Sequence, residues 1–343
     1  MLGEIILPPS PKNPWMRKHY PVNFGQVPLD MRGRLVDRTG TIEFFKGLEI
    51  KNTCPLPENN GKSLDLEDCI TDSVERIWRV LSNKQIHLLW SGGIDSTVAL
   101  VALLENNTPV KIIYSESSTK ENPTIYKWLL EKEKNHSWIE LSYQKSVIDY
   151  LKEENLDNKL FITGEIGDQI MGHFYNTTSF PQLNDEEYML SKDVFSFVKF
   201  IEDEQLRKDW EDFSHIMYEV RQSEIETVFD MLWWANFTTK YTFCIHRLSL
   251  WVEKQLPTTS FYNTKQFQIW SMNHNWKLKC NGNWWTHYKM PLKKYIYDNT
   301  GNEASLLTVK RPSLVQDHNH QVGGNKYIDK DYNIRWSKDV IQR

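Results

Sequence analysis

The chain has 343 residues, 40% of them hydrophobic and 13% aromatic, which allows a sizeable core and more than one domain. A net charge of -4, from 41 basic against 45 acidic residues, gives no overall attraction to nucleic acid or to an anionic membrane. Cys54, Cys69, Cys244 and Cys280 form no CxxC pair, no apolar run approaches the roughly 20 residues of a membrane span, and the N-terminus shows no signal-peptide pattern. A soluble, reduced, cytoplasmic protein is the expectation.

In chain order, residues 1–62 are rich in proline, glycine and turn residues, with short candidate strands at Gly33–Val36 and Thr41–Phe45. They read as an irregular N-terminal arm or small cap. From Leu64 the pattern changes: Leu66, Ile70, Val74, Ile77, Trp78 and Leu81 fall near helical spacing. IHLLW then reads as a buried strand, and SGGIDSTVALVALLENN turns into an apolar helix. Strand Val110–Tyr114, helix Thr124–Lys134, strand Trp138–Leu141, helix Lys145–Glu154 and strand Leu160–Thr163 follow. This alternation predicts an α/β fold with a doubly wound parallel sheet over residues 63–180. Residues 181–343 read as a mainly helical substrate or lid region with a polar C-terminal tail.

Two glycine turns fall at predicted strand carboxyl ends, where open parallel sheets bind ligands. In the first, WSGGIDST, Gly92 and Gly93 let the backbone approach an anion, and Ser91, Ser96 and Thr97 add hydroxyls. The following helix offers free N–H groups and the positive end of its dipole. Asp95 repels phosphate on its own, so its place in an anion cradle calls for a cation such as magnesium.

SGGIDST resembles the pyrophosphate loop of the N-type ATP pyrophosphatases, which split ATP between the α and β phosphates and adenylate a substrate oxygen. The second turn, FITGEIGDQIMGHFY, resembles the asparagine synthetase pattern SGEGxDExFGGY: Thr163 takes the Ser position, and Gly164, Glu165, Asp168 and Gly172 match. The resemblance implies ATP and magnesium at the site, with Asp95 and Asp168 as the metal pair and Glu165 handling a proton when an amine attacks. It also implies that the backbone from Ile113 through Tyr114 to Ser115 meets adenine. SFYNTKQFQIWS stands at a PFLD-like position, KMPLKKYI at a KxxLR-like one, and LLTVKRPSL puts Lys310 where the family has a lysine over the reacting phosphates.

The chain also departs from that pattern. Leu2 stands where a glutaminase of the family has its cysteine nucleophile, so ammonia, an amine or a separate amidotransferase is the expected nitrogen source. Gln169 replaces the second acid, Ile166 and His173 replace glycines, and LPTTSFYN lacks the Glu-x-Arg before PFLD. The expected activity is an AMP- and pyrophosphate-forming ligase acting on a small-molecule carboxylate or amide oxygen. The alternatives are a nucleobase- or tRNA-modifying enzyme of the same superfamily, or a nucleotide-binding structural or regulatory protein without turnover. WKLKCNGNWWTHYKMPLKKYIY interleaves lysine with aromatics as single-stranded nucleic-acid binders do, but the acidic chain does not favour that partner. The histidines show no metal spacing, and Trp233 and Trp234 read as core.

Overall fold

A computed structural model describes residues 38, 55–59, 61–62, 65–81, 83–172, 181–201, 204–239, 256–274 and 289–307, positions 241, 244, 248, 252 and 279, and two short strands nearer the C-terminus. The candidate strands before residue 50 and Lys310 lie outside the described residues.

Helix α1, Leu66–Leu81, starts where the Asp65 carboxylate accepts the Asp68 N–H at 2.8 Å. It buries Cys69, Ile70, Val74 and Ile77 along one face. Strand β1, Gln85–Leu89, leads through the first glycine turn into α2, Ile94–Glu105, which is apolar nearly all round and buried nearly all round. Strand β2, Val110–Tyr114, is followed by the short α3, Glu116–Glu121, and by α4, Pro123–Asn135, which carries proline in its first turn and an Asn122 cap. Then come β3, Ile139–Tyr143; α5, Val147–Glu153; β4, Lys159–Thr163; and the one-turn α6, Gly167–Met171.

Beyond residue 180 the chain forms α7, Glu186–Met189; α8, Glu204–Glu219; and α9, Val228–Thr239. It then returns to the sheet as β5, Thr258–Ser260, and continues as α10, Lys265–Asn273; α11, Met290–Thr300; and α12, Ala304–Leu307. Strands β6, Lys326–Ile328, and β7, Ile334–Trp336, form a separate antiparallel pair.

The main sheet is five-stranded, ordered β3-β2-β1-β4-β5, with every pairing parallel. The fold is thus α/β, a parallel sheet flanked by helices. Neighbouring strand residues divide between two apolar clusters, as a sheet covered on both sides requires. Leu88, Ile112 and Ile162 join α1, α2 and α4 in the larger cluster. Leu89, Ile113 and Phe161 join Val147, Ile148 and Leu151 of α5 with Leu248, Val252 and Leu256. Among the described residues no helix is long and apolar enough to cross a membrane.

Trp233 and Trp234 are buried on α9, where Trp233 stacks on Phe237 at 5.3 Å between ring centroids. The Arg38 guanidinium lies over the Tyr241 ring at 3.8 Å, tying residue 38 to this aromatic group.

Candidate functional site

The two glycine turns meet because β1 and β4 are neighbours at the centre of the sheet. In the first turn Gly92 has φ 84, and a Cβ there would lie 2.4 Å from the Ser118 carbonyl oxygen, so only glycine fits. The loop is pinned from behind: the Ser118 hydroxyl donates to the Trp90 carbonyl at 2.8 Å, and the Trp90 indole donates to Thr97 Oγ1 at 3.0 Å. Thr97 is fully buried, so its hydroxyl braces the loop rather than lining its mouth. Ser91 and Ser96 do face one another there. Their hydroxyls are 2.9 Å apart, and Ser96 Oγ accepts the Ser91 N–H at 3.1 Å and donates to the Gly93 carbonyl at 3.1 Å. Those hydroxyls lie beside the start of α2, where the first N–H groups of a helix lack partners within it.

The second turn sits directly on the first. A Cβ on Gly164 would lie 2.6 Å from the Ser96 nitrogen. Thr163 Oγ1 accepts the Glu165 N–H at 3.4 Å, and the Glu165 carbonyl accepts from the Ser260 hydroxyl of β5. Ile166 adopts a left-handed backbone, φ 63, at the position where the asparagine synthetase pattern has glycine. Gln169, which replaces an acid of that pattern, is buried: its amide meets Asn236 Oδ1 at 3.5 Å and its carbonyl accepts from the Trp233 indole at 2.9 Å.

Asp95 and Asp168 converge on a lysine. The Lys289 ammonium contacts Asp95 Oδ2 and lies 2.7 Å from Asp168 Oδ1. Burial pulls its pKa down, and the Asp168 and Asp95 carboxylates more than compensate, leaving it above the ordinary lysine value. Two hard carboxylate donors suit magnesium, but the ammonium stands between them, so the seat as it is built does not fit the ion. Among the described residues no group of three or more His, Cys, Asp and Glu side chains could hold a metal.

Tyr262, in the SFYN segment, closes one side of the site: its fully buried hydroxyl donates to the Asp95 carbonyl at 3.0 Å. Burial, reinforced by Asp95, Asp168 and Tyr295, holds that phenol well above its ordinary pKa, so it stays a donor. Arg76 of α1 fixes β5 through Thr259 Oγ1 at 3.1 Å and the Ser260 carbonyl at 3.0 Å.

At the expected adenine position the backbone is already engaged. The Ile113 carbonyl accepts from Trp90 N–H at 2.9 Å, the Tyr114 carbonyl from Gln144 N–H at 2.8 Å, and the Ser115 N–H donates to Ser118 Oγ at 3.2 Å.

Motif reading assigns no role to Lys289, Tyr262, Ser118 or Arg76. Lys289 lay in view as the first lysine of KMPLKK, but no local spacing ties it to Asp95, 194 residues earlier. A scan against protein-family models finds no match, and neither does a search of curated proteins.

Proposed function

We propose that the chain is an ATP-dependent ligase with asparagine synthetase-like chemistry. ATP binds across the β1–α2 turn, a carboxylate or amide oxygen attacks the α-phosphate, and pyrophosphate leaves. Ammonia or an amine then displaces AMP and forms the new carbon–nitrogen bond. The nitrogen comes from solution or from a separate amidotransferase. In this reading the sheet is of the doubly wound kind, and residues beyond 180 shape the acceptor end of the site.

The observation that carries the proposal is the interlock of the two glycine turns at the carboxyl ends of adjacent central strands. It gathers Ser91, Ser96, Asp95, Asp168 and Lys289 at the position where open α/β sheets bind ligands. The start of α2 donates to phosphate oxygens, the Ser91 hydroxyl turns from Ser96 to do the same, and Lys289 supplies positive charge nearby. Glu165, on the same turn as Asp168, takes the proton released by the attacking amine.

A second reading, a nucleotide-binding protein without turnover, is favoured by two features. Lys289 fills the place expected for a metal, and Gln169 spends its side chain on Asn236 in the core. Product analysis with labelled ATP separates the readings. The ligase gives AMP and pyrophosphate, the binding protein gives neither, and ADP with phosphate as main products contradicts both.

A further inference from the structure

The Lys289 side chain is 2% exposed, while Asp95 and Asp168 remain 19% and 13% exposed. The ammonium is therefore more deeply buried than the two carboxylates, and Asp95 Oδ1 is itself buried against the second turn. It is not a surface lysine that has drifted into range. Lys289 immediately precedes α11, its carbonyl accepts the Lys293 N–H at 3.0 Å, and Leu292 and Ile296 of that helix are buried in the main core. The residue also holds a left-handed backbone, φ 54, a conformation that persists only where the surroundings enforce it. The fold thus fixes the root of the side chain, so any displacement of the ammonium must come from rotation about the bonds of its four-carbon stem.

We infer that Lys289 is the resident cation of the Asp95–Asp168 pair, and that a divalent ion enters between these carboxylates only by displacing it. The inference rests on the nucleotide-site reading only in taking the two aspartates as a cation seat. Charge and space both argue for exclusion. A buried ammonium is tolerated when carboxylates neutralise it and accept its hydrogens, and both acids do so here. An ion held by the same oxygens at about 2 Å would bring its two positive charges almost against the ammonium. Displacement is feasible because a lysine has a four-carbon stem and, once the polyphosphate of a nucleotide is bound, an anionic alternative to turn toward. On this account nucleotide and divalent ion bind cooperatively, and the ion alone binds poorly.

The test is manganese binding by the nucleotide-free full chain, followed by electron paramagnetic resonance. The wild type should show no tight site, and its Tm should not rise in about 10 mM magnesium, because a ligand stabilises only the state it binds. Lys289→Met should gain one manganese site, at least about tenfold tighter, as expected when a competing buried cation is removed. Lys289→Arg, which keeps the charge, should not gain it, and Lys289→Met combined with Asp168→Asn should lose it again. A wild type that binds manganese as tightly as Lys289→Met overturns the inference, as does a folded Lys289→Met that gains no ion. If Lys289→Met does not fold, the wild-type measurements decide: tight manganese binding or a magnesium-dependent rise in Tm overturns the inference, and their absence upholds it. ATP binding measured alongside keeps the two proposals apart. Its failure would strike the nucleotide reading and leave the lysine-filled seat intact.

Discussion

A Cβ on Gly167 would lie 2.5 Å from the Cγ of Asp95, so the backbone of the second turn packs directly against the carboxylate of the first. Gly164 makes the companion contact with the Ser96 nitrogen. The two positions should respond differently to alanine. At Gly167 the obstacles are the Asp95 Cγ and Oδ1, which can rotate away, and its Cβ at 2.9 Å, which cannot, so Gly167→Ala should uncouple Asp95 from Lys289, weaken nucleotide binding and cost some stability as well. At Gly164 the obstacle is helix backbone, and Gly164→Ala should cost about 1–3 kcal/mol, the range for overpacking. Urea unfolding beside ATP titration checks both. Equal and negligible effects would mean that the turns do not interlock.

Ile166 reverses the usual order of residue preference. A β-branched residue with φ 63 carries backbone strain that glycine does not. Ile166→Ala and Ile166→Gly both lose the buried side chain, but glycine alone also relieves the strain. Ile166→Gly should therefore be more stable than Ile166→Ala by about 1 kcal/mol, the opposite of the order in helices and strands. Chemical denaturation of the two variants is the check.

These two turns were legible in the sequence because local chemistry announces them: glycines, serines and aspartates at the end of an apolar run. Strand Val110–Tyr114 was legible in full, because VKIIY is bounded by polar turn residues on both sides. Strand β5 was not, since TTS is three residues long, polar and paired on one side only. The run DEEYMLSKDVFSFVKFIEDE reads as mostly helical, yet among its described residues before Glu204 the α-helix is confined to Glu186–Met189, with a 3-10 turn at Ser196–Phe200. Between them the Ser191 hydroxyl accepts the Asp193 N–H at 3.3 Å, and such local bonding competes with the helix. Lys289 reaches the site through tertiary structure alone, and no pattern in sequence separation records that.

Stability should depend on pH through His87. Burial, then the nearby Lys159 and Lys111, push its imidazole down to about 4, against the opposing pull of Glu154 and Glu140. Its Nδ1 has no hydrogen-bond partner among the described residues, and its ring packs edge-on against Phe161 at 5.2 Å. The folded pKa is below the unfolded value of 6.5, so the unfolded chain binds more protons between the two. Stability from this group is complete above 6.5 and declines as the pH falls toward 4, by at most about 3 kcal/mol. His87→Leu should flatten that part of the profile in urea unfolding measured across this range.

Aspartate should not be the preferred acceptor. The segment before Phe261 lacks the acid and base of the asparagine synthetase pattern: Leu256 is buried in the smaller core and Thr258 begins β5. Asn263, at the position of the terminal Asp, accepts from the Tyr241 hydroxyl at 3.1 Å. An amino acid brings a second carboxylate and an ammonium, and each needs a charged or bidentate partner once water is excluded. Ammonia-dependent asparagine formation from aspartate and ATP should be weak. Robust turnover with a KM below about 1 mM, inside the usual enzyme range, would contradict this.

If the joined turns activate a carboxylate through ATP, ATP–pyrophosphate exchange measures that step directly. Purified full-length chain should be screened with amino acids, nucleotides and deazapurine carboxylates. Exchange should depend on at least one of these acceptors and fall about 10²-fold or more in both Asp95→Asn and Asp168→Asn, because each loses a carboxylate that holds Lys289, the cation beside the reacting phosphates, in place. Exchange that persists undiminished in both variants, or tight ATP binding with no exchange for any acceptor, would contradict the ligase reading.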